Sequence, residues 1–227
     1  MPTTSIPTAQ TAIDWLKRHG SKSGRDGMRR YNIPSNRAFG VPMRQVQELG
    51  KLLGHDHRLA ADLWATGWYE ARLLAAYVDL PAAVTLAQMD RWCRDFDNWA
   101  VCDTVCFVLF DRTPHAWSRV KDWAPRRAEY VKRAAFALLW GLTVHDKTSG
   151  DVPFLRALTL IERAATDDRH FVKKAVDMAL RAVGKRNAAL NTAASNVARR
   201  LIASPDETAQ WIGKHALREL VTKRPRR

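Results

Sequence analysis

Apolar residues recur every three or four positions along most of the chain, as in Ala60, Leu63, Trp64 and Trp68. This spacing places apolar side chains on one face of an α-helix, and the strict alternation of a half-buried strand is missing. The pattern therefore predicts an all-α protein. The predicted helices cover about residues 8 to 18, 42 to 53, 57 to 66, 69 to 79, 84 to 94, 98 to 110, 114 to 122, 127 to 143, 152 to 165, 169 to 183, 187 to 202 and 206 to 221.

Residues 21 to 38 form the one long stretch without clear helical periodicity. The stretch is rich in Gly, Arg and Ser, a composition typical of loops. It predicts either a basic loop or a short irregular helix, and its role stays open.

The second helix of each predicted pair carries a charged residue ahead of an apolar run. Aligning these positions gives Arg72, Asp103, Arg133 and Lys174, at intervals of 31, 30 and 41 residues. Such periods are typical of HEAT-like helix pairs, which stack into a curved solenoid with a concave inner surface. We therefore expect one domain over residues 1–222, a curved α-solenoid of HEAT-like antiparallel helix pairs. The basic tail 223–227 is expected to be disordered.

The charge balance of the chain points to a polyanionic partner. The sequence has 37 Lys and Arg against 23 Asp and Glu, a formal net charge of +14. Nucleic acid is the polyanion that such a balance favours, although a merely solvated basic surface is the alternative. Three clustered cysteines, Cys93, Cys102 and Cys106, indicate a reduced protein, and their spacing favours core packing over a zinc site.

The N-terminal residues lack the basic and apolar regions of a secretion signal. Nowhere do 18 apolar residues run together, so no membrane span is expected. These observations predict a cytoplasmic protein, associated with the nucleoid when bound to DNA.

Trp99 and Asp103 lie four residues apart, so on a helix they share one face. A carboxylate beside an aromatic wall in a basic protein is suited to act on a cationic group of a captured polyanion. A structural alternative stays open, because Asp103 could instead pair with Arg72 or Arg133 in a ladder between repeats. Asp97 is expected to cap the helix that starts near Asn98.

Five stretches, at residues 40–44, 63–75, 97–103, 131–134 and 171–187, also give information about the function of the chain. Their order and spacing resemble the AlkD-like DNA alkylation repair family, the HEAT-like repeat DNA glycosylases, over about residues 28 to 220. The resemblance implies excision of cationic alkylated purines, of the N3-methyladenine and N7-methylguanine type. It also implies base excision repair of duplex DNA without base flipping, and without a metal or cofactor.

The same resemblance assigns roles to individual residues. Asp103 matches the family's catalytic carboxylate, and Trp99 matches an aromatic residue that packs on the deoxyribose beside the lesion. Arg133 matches a basic residue of the same cleft. Met178 stands where the family usually has a second cleft tryptophan, so the lesion cleft would have an apolar wall here without a flat ring.

A basic tract is expected to contact DNA phosphates, although some of its members could simply solvate outer helix faces. Its residues are Arg44, Lys173, Lys174, Arg181, Lys185 and Arg186. The expected partner is double-stranded DNA with alkylated purines, bound by a monomer without an obligate protein partner. The alternative is a HEAT-like scaffold that binds nucleic acid without catalysis, and the sequence does not specify the preferred adduct.

Overall fold

A computed structural model describes residues 8–222 of the protein, so residues 1–7 and the predicted tail 223–227 lie outside the described range. Within that range the chain forms thirteen α-helices, two short 3-10 turns (Arg29–Tyr31 and Phe110–Arg112) and no strand, which confirms the all-α prediction. The α-helices are α1 (Ala9–His19), α2 (Lys22–Met28), α3 (Met43–Leu53), α4 (His57–Ala65), α5 (Tyr69–Val78), α6 (Leu86–Arg94), α7 (Trp99–Val108), α8 (Ala116–Trp123), α9 (Glu129–His145), α10 (Asp151–Ala164), α11 (His170–Gly184), α12 (Ala188–Ile202) and α13 (Glu207–Thr222).

Side-chain caps define where several helices begin. Asp56, Thr85, Asn98 and Asn187 each accept a hydrogen bond from the backbone N–H three residues further on. Such caps satisfy a donor that the first turn of a helix otherwise leaves unpaired. These capping residues precede α4, α6, α7 and α12, so a polar residue marks the start of each of these helices.

The helices form two rows with the core between them. An odd row, α3, α5, α7, α9, α11 and α13, packs in that order, each helix against the next. The helices between them in sequence form an even row, α4, α6, α8, α10 and α12. Large side chains between the rows are fully buried, including Trp92, Phe110, Phe136 and Phe154. This burial of apolar surface stabilises the stack.

The stretch 21–38, left open by its sequence, contains α2 and the first 3-10 turn. The backbone just after it is fixed by Glu70 of α5, whose buried carboxylate accepts hydrogen bonds from the N–H groups of Phe39, Gly40 and Val41. Gly40 has φ +79°, a left-handed conformation that favours glycine. This contact holds the N-terminal segment against the odd row.

Candidate active site

The first turn of α7 presents the predicted pair of Trp99 and Asp103. Asn98 caps this helix, because its side chain accepts the Val101 N–H at 2.9 Å. The prediction that Asp97 is the cap is wrong: its carboxylate instead accepts a hydrogen bond from the Asn98 side-chain amide. Asn and Asp are comparable N-cap residues, so the sequence alone does not show whether Asp97 or Asn98 caps the helix. Trp99 is therefore the first helical residue, and Asp103 lies one turn further on.

The Asp103 carboxylate is held by Arg133 of α9 in a two-pronged ion pair. Arg133 Nε donates to Oδ1 at 2.9 Å, and Nη2 donates to Oδ2 at 2.7 Å. Arg72, the other partner considered, donates instead to the backbone oxygen of Asp95. The contact between repeats that the sequence allowed is therefore present, with Arg133 as the partner.

This ion pair is not sealed inside the protein. The Asp103 side chain keeps 15% of its surface exposed, against 6% for Arg133. Arg133 also donates from Nη1 to the Phe171 backbone oxygen at 2.6 Å, which ties α9 to α11. The guanidinium is thus fixed by three hydrogen bonds, while the Asp103 side chain that it orients stays partly exposed.

Burial and pairing act on the two charged groups in opposite directions. Burial raises the pKa of Asp103 above its ordinary range, and the charge and hydrogen bonds of Arg133 oppose that rise. Burial alone would lower the pKa of Arg133, but the adjacent Asp103 carboxylate raises it beyond its already high value. Arg133 is therefore a permanent cation, and its presence favours the ionised form of Asp103.

Asp103 opens onto a cleft of about 450 Å³ with a largely aromatic lining. Six rings contribute to the lining: Tyr31, Tyr69, Tyr77, Trp99, Phe107 and Trp140. The Trp99 indole N–H donates to the Tyr31 backbone oxygen at 2.8 Å, which attaches the first 3-10 turn to α7. The stretch 21–38 thus supplies part of the cleft wall, a role that its sequence did not reveal.

Trp140 is a cleft residue that sequence reasoning missed. It lies seven positions after Arg133 on α9, and Phe107 lies four positions after Asp103 on α7. The two rings stack with centroids 4.3 Å apart. The stack lies one or two helical turns beyond the ion pair on each helix. The spacing was available as a signal, since residues seven apart share a helix face two turns on.

Met178 lies in an adjoining cleft of about 390 Å³ and does not line the cleft of Asp103. Trp140 lines both clefts and therefore separates Met178 from the carboxylate. The side chains beside Met178 include Val144 and Arg181. The aromatic surface nearest to the carboxylate on this side thus comes from α9 rather than from position 178.

The basic residues predicted to bind phosphates fall into two groups. Arg181 and Lys185 both pair with Glu219, and Arg186 donates to the backbone oxygens of Thr143 and Ser149. These three side chains are thereby paired with other groups of the protein, although Lys185 stays exposed. Among the described residues, the other three have no such network. Arg44 pairs there with Glu48 on its own helix, and the ammonium groups of Lys173 and Lys174 lie 5.1 and 4.6 Å from the Trp211 ring centroid.

The three cysteines are buried, and the thiols of Cys102 and Cys106 point to backbone oxygens of α9. Within residues 8–222, no group of three or more His, Cys, Asp or Glu side chains is placed to hold a metal ion. In the same range no helix is both long and apolar enough to cross a membrane.

The chain matches the family model described as DNA alkylation repair enzyme over residues 12–220. The protein belongs to this DNA alkylation repair family. The match covers both partners of the Asp103–Arg133 pair and almost all of the described helices. A comparison with curated proteins found no match.

A solved structure with the same fold is described as "A new family of proteins related to the HEAT-like repeat DNA glycosylases with affinity for branched DNA structures". The TM-score is 0.78 at 18% sequence identity, and the alignment covers 96% of this chain and 98% of that chain. This likeness confirms the predicted solenoid of HEAT-like helix pairs. At this identity the comparison establishes the fold alone.

Proposed function

We propose that this protein is a monofunctional DNA glycosylase that hydrolyses the N-glycosidic bond of cationic alkylated purines in duplex DNA, without base flipping. The carrying observation is the placement of Asp103, an accessible carboxylate oriented by Arg133 at an aromatic cleft. Membership in the DNA alkylation repair family supports the same reaction class.

Hydrolysis of this N-glycosidic bond depends on a negative charge beside the deoxyribose more than on a general acid. Alkylation at N3 or N7 leaves the purine positively charged, so the base departs with the electron pair of its bond to C1′. Positive charge then develops on the deoxyribose, where an ionised carboxylate stabilises it and orients the attacking water. Asp103 performs both roles from one position, and the proton that the water loses passes to the carboxylate or to solvent.

The ion pair with Arg133 is compatible with this role. A carboxylate has about four lone-pair sites, and the two hydrogen bonds from Arg133 use only two of them. The remaining sites are available to water or to the sugar on the exposed side. Arg133 partly offsets the charge of Asp103, but it also fixes the carboxylate in one orientation, so little reorganisation is needed during the reaction.

Two indoles would pack against the sugar and exclude bulk water from the side away from Asp103. Trp99 lies one turn before Asp103, and Trp140 lines the same cleft and stacks on Phe107. An aromatic face attracts a positively charged ring, so both indoles favour the oxocarbenium-like sugar over its neutral precursor. In this proposal Trp140 provides the flat surface that Met178 does not.

Basic side chains would grip the DNA backbone around the lesion. Arg44, Lys173 and Lys174 are the predicted contacts that remain most available. If six to ten phosphates are contacted in total, affinity falls by about 10³–10⁵ between 50 and 200 mM salt. We propose that the protein acts on DNA as a monomer in the cytoplasm, without a cofactor.

The test is release of free 7-methylguanine and 3-methyladenine from methylated duplex DNA at low salt, detected by chromatography. The proposal predicts release by the wild-type protein that depends on protein concentration, with the DNA strand left unbroken at an abasic site. Binding of this DNA without any base release would refute the glycosylase proposal.

A second candidate is a DNA-binding protein without catalysis. The observation that favours it is that both Asp103 oxygens are bonded to Arg133, as in a purely structural ion pair. The similar solved structure comes from proteins with affinity for branched DNA. This candidate predicts tighter binding to a four-way junction than to a methylated duplex of equal length, together with no base release.

A further inference from the structure

A groove lies between α8 and α10 of the even row and shares no residue with the Asp103 cleft. Its volume is about 500 Å³. The floor is apolar, with Trp117 and Val120 contributed by α8 and Ala157 and Leu160 contributed by α10. None of these residues has a part in the proposed DNA chemistry.

The two helices that border the groove are not linked by polar side chains. Arg119 of α8 pairs with Asp90 of α6, and Arg200 of α12 pairs with Glu162 of α10. Between α8 and α10 no hydrogen bond or ion pair is formed within the described residues. The helices meet near their first turns, where Trp117 packs edge-on against Phe154.

Exposed apolar side chains extend the surface along α10. Val152 is 56% exposed and Leu155 is 44% exposed. Each lies one helical turn before a residue that lines the groove, Arg156 and Thr159 respectively. Isolated exposed apolar residues are common, but a groove with an apolar floor and adjoining exposed apolar residues is typical of an interaction site.

The sides of the groove are basic. Lys121, Arg156 and Arg163 line it, and all three are exposed. Within residues 8–222 none of them forms a hydrogen bond or an ion pair, and no carboxylate lines the groove. The surface therefore offers apolar contact at its centre and three unpaired cations at its edge.

We propose that this groove binds an acidic amphipathic helix of a partner protein. The occupant would place apolar residues at positions i, i+3 or i+4 and i+7 on the floor, and Glu or Asp residues against the three cations. Phosphate is a poorer fit, because an apolar floor provides no hydrogen-bond donors for it. This inference does not depend on the glycosylase proposal, because the groove and the cleft are separate.

The experiment selects helical peptides from a displayed library on the full-length protein and measures their affinity by fluorescence anisotropy. The test variant reverses the groove charges: Lys121→Glu, Arg156→Glu and Arg163→Glu. The control variant makes the same change in charge at exposed, unpaired residues of α1, α4 and α6: Lys17→Glu, Arg58→Glu and Arg91→Glu. Both variants should melt as the wild type does, because exposed unpaired residues contribute little to stability.

We expect the selected peptides to share an acidic, amphipathic pattern. Their binding should weaken about tenfold or more in the groove variant and less than about threefold in the control. A photoreactive residue in the apolar face of a bound peptide should crosslink to α8 or α10. The crosslink keeps the test valid even if a variant folds poorly.

Five results would overturn the inference. Selected peptides could lack acidic residues, bind both variants equally, or crosslink outside α8 and α10. Alternatively, the groove variant could lose affinity for unmodified duplex DNA well beyond the control, which would make the groove a phosphate surface. Loss of self-association in the groove variant, without any peptide binding, would assign the groove to a second copy of the chain.

Discussion

Replacing Arg133 with methionine removes the cation that holds Asp103 and leaves a shorter, unbranched apolar side chain. Arg133 is 6% exposed and donates three hydrogen bonds. Removing one member of a buried ion pair costs about 3–5 kcal/mol, because the other charge is left unpaired. Asp103 retains 15% exposure, so water compensates part of the loss. We therefore expect the free energy of unfolding to fall by about 2–3 kcal/mol.

Thermal unfolding measures this loss. In a chain of this size, each kcal/mol of lost unfolding free energy lowers the thermal unfolding midpoint by about 2–4 °C. The midpoint should therefore fall by about 4–12 °C. The double variant Asp103→Leu with Arg133→Met removes both charges and should recover much of the stability that either single change loses. If the two single losses simply add in the double variant, the ion pair does not contribute as described here.

The Arg133→Met variant also tests the electrostatics of the reaction. Burial raises the pKa of Asp103 and Arg133 opposes the rise, so removing Arg133 raises the pKa further. Base release needs the ionised carboxylate, which exists only above that pKa. The acid limb of the rate profile should therefore move to higher pH than in the wild type. An unmoved limb would contradict the role given to Asp103.

Variants at three further positions test other parts of the structure. Trp140→Ala should slow 7-methylguanine release while Trp140→Phe, which keeps a ring to stack on Phe107, retains most of it; equal rates in both would exclude an aromatic role. Asp167 has its pKa lowered to about 2 by hydrogen bonds from two basic neighbours, so its stabilisation is complete above about pH 4 and is lost as pH falls towards 2. Asp167→Asn should therefore cost up to about 2 kcal/mol at neutral pH in urea unfolding, and a cost that persists at pH 2 would be inconsistent. Gly141→Ala should cost about 1–3 kcal/mol despite the better helix propensity of Ala, because the added Cβ would lie 2.5 Å from the Asp111 carboxylate; an unchanged melting midpoint would argue against that packing.

The fold and the centre of the candidate site were predictable because they depend on local patterns. The helix predicted over 98–110 is observed over Trp99–Val108, since helical periodicity is set by neighbours in sequence. The same periodicity placed Trp99 and Asp103 on one face. The repeat interval aligned Arg133 with Asp103, and the family resemblance assigned Arg133 to the same cleft.

What could not be predicted depends on contacts between distant residues. The sequence allowed Asp103 to pair with Arg72 or Arg133, and only the packing of α7 on α9 decides between them. Arg181 was expected to contact DNA, yet it pairs with Glu219, which is 38 residues away in the sequence. Trp140 was one of nine tryptophans, and its place in the cleft depends on its stack against Phe107.

The central claim is that the Asp103 carboxylate acts on the sugar of an alkylated nucleotide. Asp103→Asn keeps the size of the side chain and one acceptor for Arg133, so some stability is lost while the fold should persist. The decisive measurement is single-turnover release of 7-methylguanine by this variant, at equal DNA occupancy and at a temperature where both proteins are folded. We predict a rate about 10²–10³ lower than in the wild type, with unchanged DNA affinity. A rate within a few fold of the wild type would contradict the claim.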